Sequence, residues 1–190
     1  MIKHILPLIV LSLAMLSCNT DPSDQFNEKD AAIPPQEELY SSAERSEIIA
    51  AARAIIKADP VAAFVTVDPL GRPRVRSVNT SSPDSTMTIW VATRPGTRKV
   101  DQIQENASVT LFYNNDSEGN YVSVMGQADL HKDNDFIEAN NPFSVEWTDQ
   151  FFPEFPENMI LIEIKPVWME VMGQGISASE ETWRPQAVTF

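Results

Sequence analysis

Thr97, Arg98 and Lys99 open the run GTRKVDQIQENASVTLFY, residues 96 to 113, in which a short helix over KVDQIQEN is predicted to give way to a strand over SVTLFY. The start of a helix offers unpaired backbone N–H groups and the positive end of the helix dipole. A hydroxyl at the expected cap, Thr97, and two cations beside it make a site suited to a phosphate monoester. The dipole contributes only about 0.3–1 kcal/mol, so selectivity requires further cations from a neighbouring element. Arg74 and Arg76 supply them, because two residues apart in the predicted strand RVRSVNT their side chains leave the same face. Residues 72 to 99 hold six cations, Arg72, Arg74, Arg76, Arg94, Arg98 and Lys99, against the single acid Asp84. That window is basic in a chain of formal charge −13. The charge pattern alone supports two readings, an anion site and a basic patch that offsets an acidic surface. Within the trio the guanidinium fork of Arg98 predicts a larger contribution than the ammonium of Lys99.

The elements that must position these residues follow from periodicity and punctuation. Ser41 with Glu44 forms a capping-box pattern, Ile48, Ile49, Ala52, Ile55 and Ile56 mark one helical face, and Pro60 ends that helix. Strand signals then follow in AAFVTVD, RVRSVNT after the turn PLGRP, TMTIWVAT, SVTLFY, YVSVMGQADL, MILIEIKP and VWMEVMG. The intervening stretch FIEANNPFSVEWTDQFFPEFPEN is less regular and rich in aromatics. At least six strands lie close together with short helices between them and no repeated βαβ spacing. The expected class is therefore mostly β, an antiparallel sheet closed into a barrel.

The first residues read differently. MIKHILPLIVLSLAMLSC has a basic start at Lys3, an apolar run from Ile5 to Leu16 and a small Ser17 before Cys18. This is the layout of a secretory signal over 1–17, too short for a comfortable membrane span. Cys18, the only cysteine, stands where a bacterial lipoprotein is lipidated, although Met15 replaces the commonest leucine of that motif. A plain signal and an uncleaved anchor are the alternatives. Lipidation would put the protein in the bacterial cell envelope, held to a membrane by the lipid alone. Residues 18–40 are acidic and proline-bearing and are expected to be a flexible linker to a domain over 41–190. A lone cysteine excludes a disulfide framework and a thiolate metal cluster, and the acidic balance argues against nucleic acid. With His131 the only histidine after the signal, a zinc site or a Ser-His-Asp triad has little to work with. His131 itself is expected at the surface.

The set RPRVRSV, TIWVAT, GTRKVDQIQENASVTLFY and YVSVMGQADL resembles the flavin-binding split barrel of the pyridoxamine 5′-phosphate oxidase superfamily, in particular its general-stress-protein branch, over roughly residues 42 to 190. The resemblance implies a six-stranded antiparallel split β-barrel of Greek-key type, FMN as cofactor, and a homodimer with each flavin between subunits. It assigns the phosphate to Arg76, Thr97, Arg98 and Lys99, with Arg74 beside them. It lays the backbone of Ser77, Val78 and Asn79 along the isoalloxazine, and puts Thr93 at the family's third-strand threonine. Tyr121 falls where the other subunit commonly contributes, and Trp183 with Arg184 is expected to close over the flavin or to plug the barrel surface. The Arg-x-His substrate motif of the pyridoxamine phosphate oxidases is missing from SEETWRPQAVTF, and NTSS stands where a lysine is expected. Oxidation of pyridoxine phosphate is therefore not implied. An FMN-dependent oxidoreductase is the expectation, with a flavin-storage module or a haem-handling split barrel as alternatives. No metal site is expected, no catalytic acid or base is identified, and Trp147, Phe151, Phe152 and Phe155 are read as core or interface packing or as a substrate entrance.

Overall fold

The computed structural model describes residues 40–115 and 119–190, so Cys18, the signal and the linker up to residue 39 lie outside the described residues. Helix α1 spans Ser42–Ala58 and begins as its sequence requires. The Ser41 side chain accepts from the Glu44 N–H, and the Glu44 carboxylate accepts from the Ser41 N–H at 2.7 Å. Its buried face is Ile48, Ala51, Ala52, Ile55 and Ile56. Strands β1 (Val61–Val67), β2 (Pro73–Asn79) and β3 (Ile89–Thr93) follow, then α2 (Arg98–Glu105), β4 (Ser108–Asn115) and β5 (Asn120–His131). Helices α3 (Asn134–Asn140) and α4 (Val145–Phe151) precede β6 (Ile160–Met172) and β7 (Gln186–Thr189).

All pairings are antiparallel, in the order β2-β1-β4-β5-β6-β3, with β7 added on β6. The described sheet thus has seven strands rather than six. MILIEIKP and VWMEVMG are one strand, because Pro166 falls at a bulge where the partner register shifts between Met125 and Gly126. Gly126 faces it, and a Cβ there would lie 2.5 Å from the Lys165 carbonyl oxygen. The short β7 is an added strand that the sequence reading did not foresee.

The barrel is not closed by a continuous ladder, which corrects the expectation of closure. The two ends of the sheet meet at a single bridge, Thr80 with Val91. Beside it Ser81 bonds Trp90 twice, its N–H donating to the Trp90 carbonyl and its hydroxyl accepting from the Trp90 N–H, both at 2.9 Å. Thr80 is fixed by donating to the Pro60 carbonyl and accepting from the buried Tyr113 hydroxyl, both at 3.0 Å. Along 73–79 the outer edge of β2 has no strand partner among the described residues.

The main core lies inside the sheet under α1, around Phe64, Leu111, Tyr113, Ile162 and Ile164. A second cluster of Ile137, Phe152, Met159 and Leu161 lies under α3 and α4. Those two helices fall in the aromatic stretch whose sequence shows no regular period. Asp133 caps α3 by accepting from the Phe136 N–H, and Ser144 caps α4 by accepting from the Trp147 N–H. Trp147 and Phe155 pack on the second cluster and Phe152 is within it, while Phe151 stays 41% exposed. His131 is not at the open surface as expected. Its ring stacks on Phe136 at 4.1 Å, and its Nε2 meets the Glu163 carboxylate at 2.9 Å.

Candidate functional site

The basic residues meet in a cleft of about 700 Å³ between β2, the end of β1 and the start of α2, lined by Asp68, Arg74, Arg76, Thr97, Lys99 and Gln102, among others. Sequence alternation builds one wall. Phe64 and Thr66 are fully buried on β1, so the residues paired with them, Arg76 and Arg74, share that face of β2. Gly96 allows the other wall to turn into α2: its φ is +74° and the space around a Cβ would be open, so conformation rather than crowding calls for glycine.

Arg76 is held from three sides. Its Nη1 donates to Thr66 Oγ1 at 2.7 Å and to the Phe64 carbonyl at 3.3 Å, and its Nη2 donates to Gln102 Oε1 at 3.0 Å. Lys99 is half-buried, and its Nζ donates to Thr93 Oγ1 at 2.8 Å. Burial lowers the Lys99 ammonium below its ordinary value, and the charge of Arg76 pushes the same way. Burial, then the charge of Arg74, likewise lowers the Arg76 guanidinium. These shifts have the sign expected of cations gathered without an anion.

Arg72 and Arg74 are differently placed. Asp68 binds both, with Arg72 Nε at 2.9 Å and Arg74 Nη2 at 2.8 Å from Oδ2. Burial alone would raise the Asp68 carboxyl, but hydrogen bonds from the Arg72 N–H, both guanidinium groups and the Leu70 N–H bring it to about 2. Arg94 donates to the Phe151 carbonyl at 2.7 Å, away from the trio. Among the described residues no carboxylate pairs with Arg76, Arg98 or Lys99. Arg98 is exposed.

Thr97 occupies the N-cap position with extended backbone angles, φ −79° and ψ 143°, but its hydroxyl makes no cap hydrogen bond. It faces Thr93 Oγ1 at 3.1 Å instead, so Thr93, Thr97 and Lys99 form one cluster. Ser77, Val78 and Asn79 continue β2 beyond Arg76 along the open strand edge. Tyr121 and Trp183 do not line this cleft in their own chain. The Tyr121 hydroxyl donates to Glu170 at 2.6 Å, and burial together with that carboxylate raises its pKa. Trp183 is 85% exposed with φ +58°.

Sequence reasoning missed Asp68, Thr66 and Gln102. Asp68 carried a signal as the acid closing VTVD before a turn, with arginines four and six residues on. Thr66 and Gln102 carried none beyond their periodic positions. Among the described residues no group of three or more His, Cys, Asp or Glu is arranged to hold a metal ion, and no helix is long and apolar enough to cross a membrane.

Residues 48–172 match the family model described as pyridoxamine 5′-phosphate oxidase. Among solved structures, a Clostridium acetobutylicum protein related to general stress protein 26 of B. subtilis superposes with a TM-score of 0.59 at 14% identity, covering 77% of this chain and 94% of that one. General stress protein 26 from Bacillus anthracis gives 0.57 at 19% identity, covering 77% and 98%. A pyridoxamine 5′-phosphate oxidase-related, FMN binding protein from Nostoc punctiforme gives 0.52 at 16%, covering 81% and 99%. No curated protein sequence matches the chain.

Proposed function

Because the chain belongs to the pyridoxamine 5′-phosphate oxidase family, we propose that its cleft binds FMN and that the protein works as a flavin oxidoreductase. One observation carries this reading: Arg76 and Lys99 are gathered, partly desolvated and without a carboxylate partner, while the nearest acid, Asp68, is already committed to Arg72 and Arg74. A phosphate monoester relieves that repulsion. The cleft volume also lies within the usual range for ligand sites of about 300–1,000 Å³.

In this reading Arg76, Thr97, Arg98 and Lys99 hold the phosphate, and Thr93 orients Lys99. Arg74 acts at longer range from its pairing with Asp68. The unpaired edge of β2 at Ser77, Val78 and Asn79 offers backbone groups to the ring. FMN, when bound, supplies the redox chemistry, and the protein supplies position and electrostatics. No histidine or cysteine lines the cleft, and Asp68 stays ionised at neutral pH.

The functional unit is a homodimer in this proposal. Cross-strand neighbours Val75, Val65, Thr110, Met125 and Trp168 form a row on the outer sheet face. Val75 and Met125 are 64% and 48% exposed, and Val75 also lines the cleft. An apolar face continuous with a ligand cleft suits a second copy. Tyr121 and Trp183, outside the cleft of their own chain, are then assigned to the cleft of the second copy. Cys18 is assigned as a lipidated anchor in the bacterial envelope, with membrane contact through that lipid alone.

The visible spectrum of the purified protein tests the cofactor. Bands at roughly 375 and 450 nm support bound flavin, whereas a Soret band or a colourless protein that takes up no added FMN would overturn it. Reduction of bound flavin by NAD(P)H and its reoxidation by an acceptor support turnover. A flavin that neither donor nor acceptor touches would indicate storage.

A further inference from the structure

Gln102 lies three residues after Lys99 on α2, is 7% exposed and lines the cleft. Its amide is oriented by its neighbours rather than by its own conformational preference. Arg76 Nη2 only donates, so at 3.0 Å it must face the Gln102 oxygen and not the nitrogen. Thr66 Oγ1 accepts from Arg76 Nη1 at 2.7 Å, which leaves its own proton for Gln102 Oε1 at 2.6 Å. Both lone pairs of Oε1 are therefore occupied. Nε2 makes no hydrogen bond among the described residues and is not itself fully buried, so the little of Gln102 that stays exposed includes this amide nitrogen, at a residue that lines the cleft.

We propose that Gln102 is a ligand of the phosphate in this cleft, donating from Nε2, and that its oxygen positions Arg76 for the same group. The inference rests on the phosphate reading above and adds a residue and a selectivity to it. With Oε1 turned to Arg76 and Thr66, Gln102 can only donate toward the cleft. Gln102, Arg76 and Lys99 then all present donors, while the one carboxylate of the lining, Asp68, is engaged by Arg72 and Arg74. Such a lining selects an oxyanion whose oxygens only accept, and a dianionic monoester meets that condition best. Thr66, fully buried, acts through the other two as a positioning residue.

Two variants and one spectrum test it. Gln102→Glu keeps the shape and an oxygen for Arg76 and Thr66, but turns a second, anionic acceptor toward the phosphate. Its dissociation constant for FMN should rise about tenfold to a hundredfold, and the ratio of FMN to riboflavin affinity should fall with it. Gln102→Met removes both donors without adding charge, and should give a smaller fall in that ratio while serving as the control should the carboxylate variant fold poorly. In the wild-type protein, inorganic phosphate should shift the Gln102 side-chain amide pair in a proton–nitrogen spectrum, assigned by its loss in Gln102→Met. A wild-type protein that binds neither FMN nor inorganic phosphate overturns the phosphate reading and this inference together. If the wild type binds FMN while Gln102→Glu binds it equally tightly, or while saturating phosphate leaves the Gln102 amide pair unmoved, this inference alone is overturned.

Discussion

Lys99→Met gives the most discriminating perturbation of the cleft, because it should move ligand affinity and unliganded stability in different ways. The ammonium is half-buried and its charge is opposed by burial and by Arg76. A charge-assisted hydrogen bond from it to a phosphate oxygen is worth about 1.5–3 kcal/mol. Its loss should weaken FMN about ten- to a hundredfold. Riboflavin, which has the same ring and no phosphate, should lose far less. In the absence of ligand the substitution removes a repulsion and a desolvated charge but also the Thr93 hydrogen bond at 2.8 Å, worth about 0.5–1.5 kcal/mol. These effects oppose one another, so the melting temperature of the flavin-free protein should stay within about 3 °C of wild type. Fluorescence titration with both flavins and thermal melts of the stripped protein give the two quantities. Parallel losses for FMN and riboflavin, together with a clear drop in melting temperature, would mean that Lys99 braces the 93–99 turn, and the argument for a phosphate would collapse.

Arg98→Ala should cost less than the lysine change, which reverses the order expected from the guanidinium fork, because Arg98 is exposed and an exposed cation contributes about 0–1 kcal/mol; an FMN loss of more than about tenfold would contradict this ranking. FMN affinity should fall as pH rises through the lowered pKa of Lys99, since the phosphate favours the ammonium form, and a titration on Lys99→Met should lack that limb. Asp68 has a folded pKa of about 2 against an ordinary 3.8. Its contribution to stability is therefore full above about pH 4 and lost as pH falls toward 2, and the urea midpoints of wild type and Asp68→Asn should converge over that window. Met125→Asp, on the exposed sheet face, should convert a dimer of roughly 35 kDa for residues from 40 onward into monomers that lose FMN. Sedimentation showing a monomer with full flavin content would refute the shared cleft.

The legible parts of the fold were those specified within a few residues. Ser41 and Glu44 cap α1 through a three-residue contact, the alternation of AAFVTVD sets which side chains of β1 are buried, and the two-residue spacing of Arg74 and Arg76 puts them on one face. What stayed hidden depends on partners far along the chain. Thr66 and Gln102 are separated by 36 residues, yet they share the hydrogen bonds that hold Arg76. His131 is partly covered because α3 brings Phe136 onto its ring, and the sequence of α3 carries no clear helical period. Pro166 ended a strand on paper, whereas in the sheet its missing N–H falls at a bulge that needs no ladder bond. Charge counting found the cations and could not tell their roles. Only geometry divides them between Asp68, the Phe151 carbonyl and the open cleft.

The incomplete barrel links these observations. A fully laddered β2–β3 seam would pair the backbone of 73–79 and bring β3 against the mouth of the cleft. Instead the seam is reduced to the Thr80–Val91 bridge and the Ser81–Trp90 hydrogen bonds beside it, and Tyr113 and Pro60 fix Thr80 there. β2 is thereby left with three faces in use. Its inner face carries Arg74 and Arg76, its free edge exposes peptide groups from Pro73 to Asn79, and its outer face begins the apolar row at Val75. An unprotected strand edge and an exposed apolar face are each a liability for a protein alone. Cations gathered inside the same strand are a third. A planar ligand with a phosphate, lying on the edge and capped by a second copy on the outer face, would relieve all three at once. The proposed cofactor and the proposed dimer are therefore one structural solution, and a variant that removes either should weaken the other.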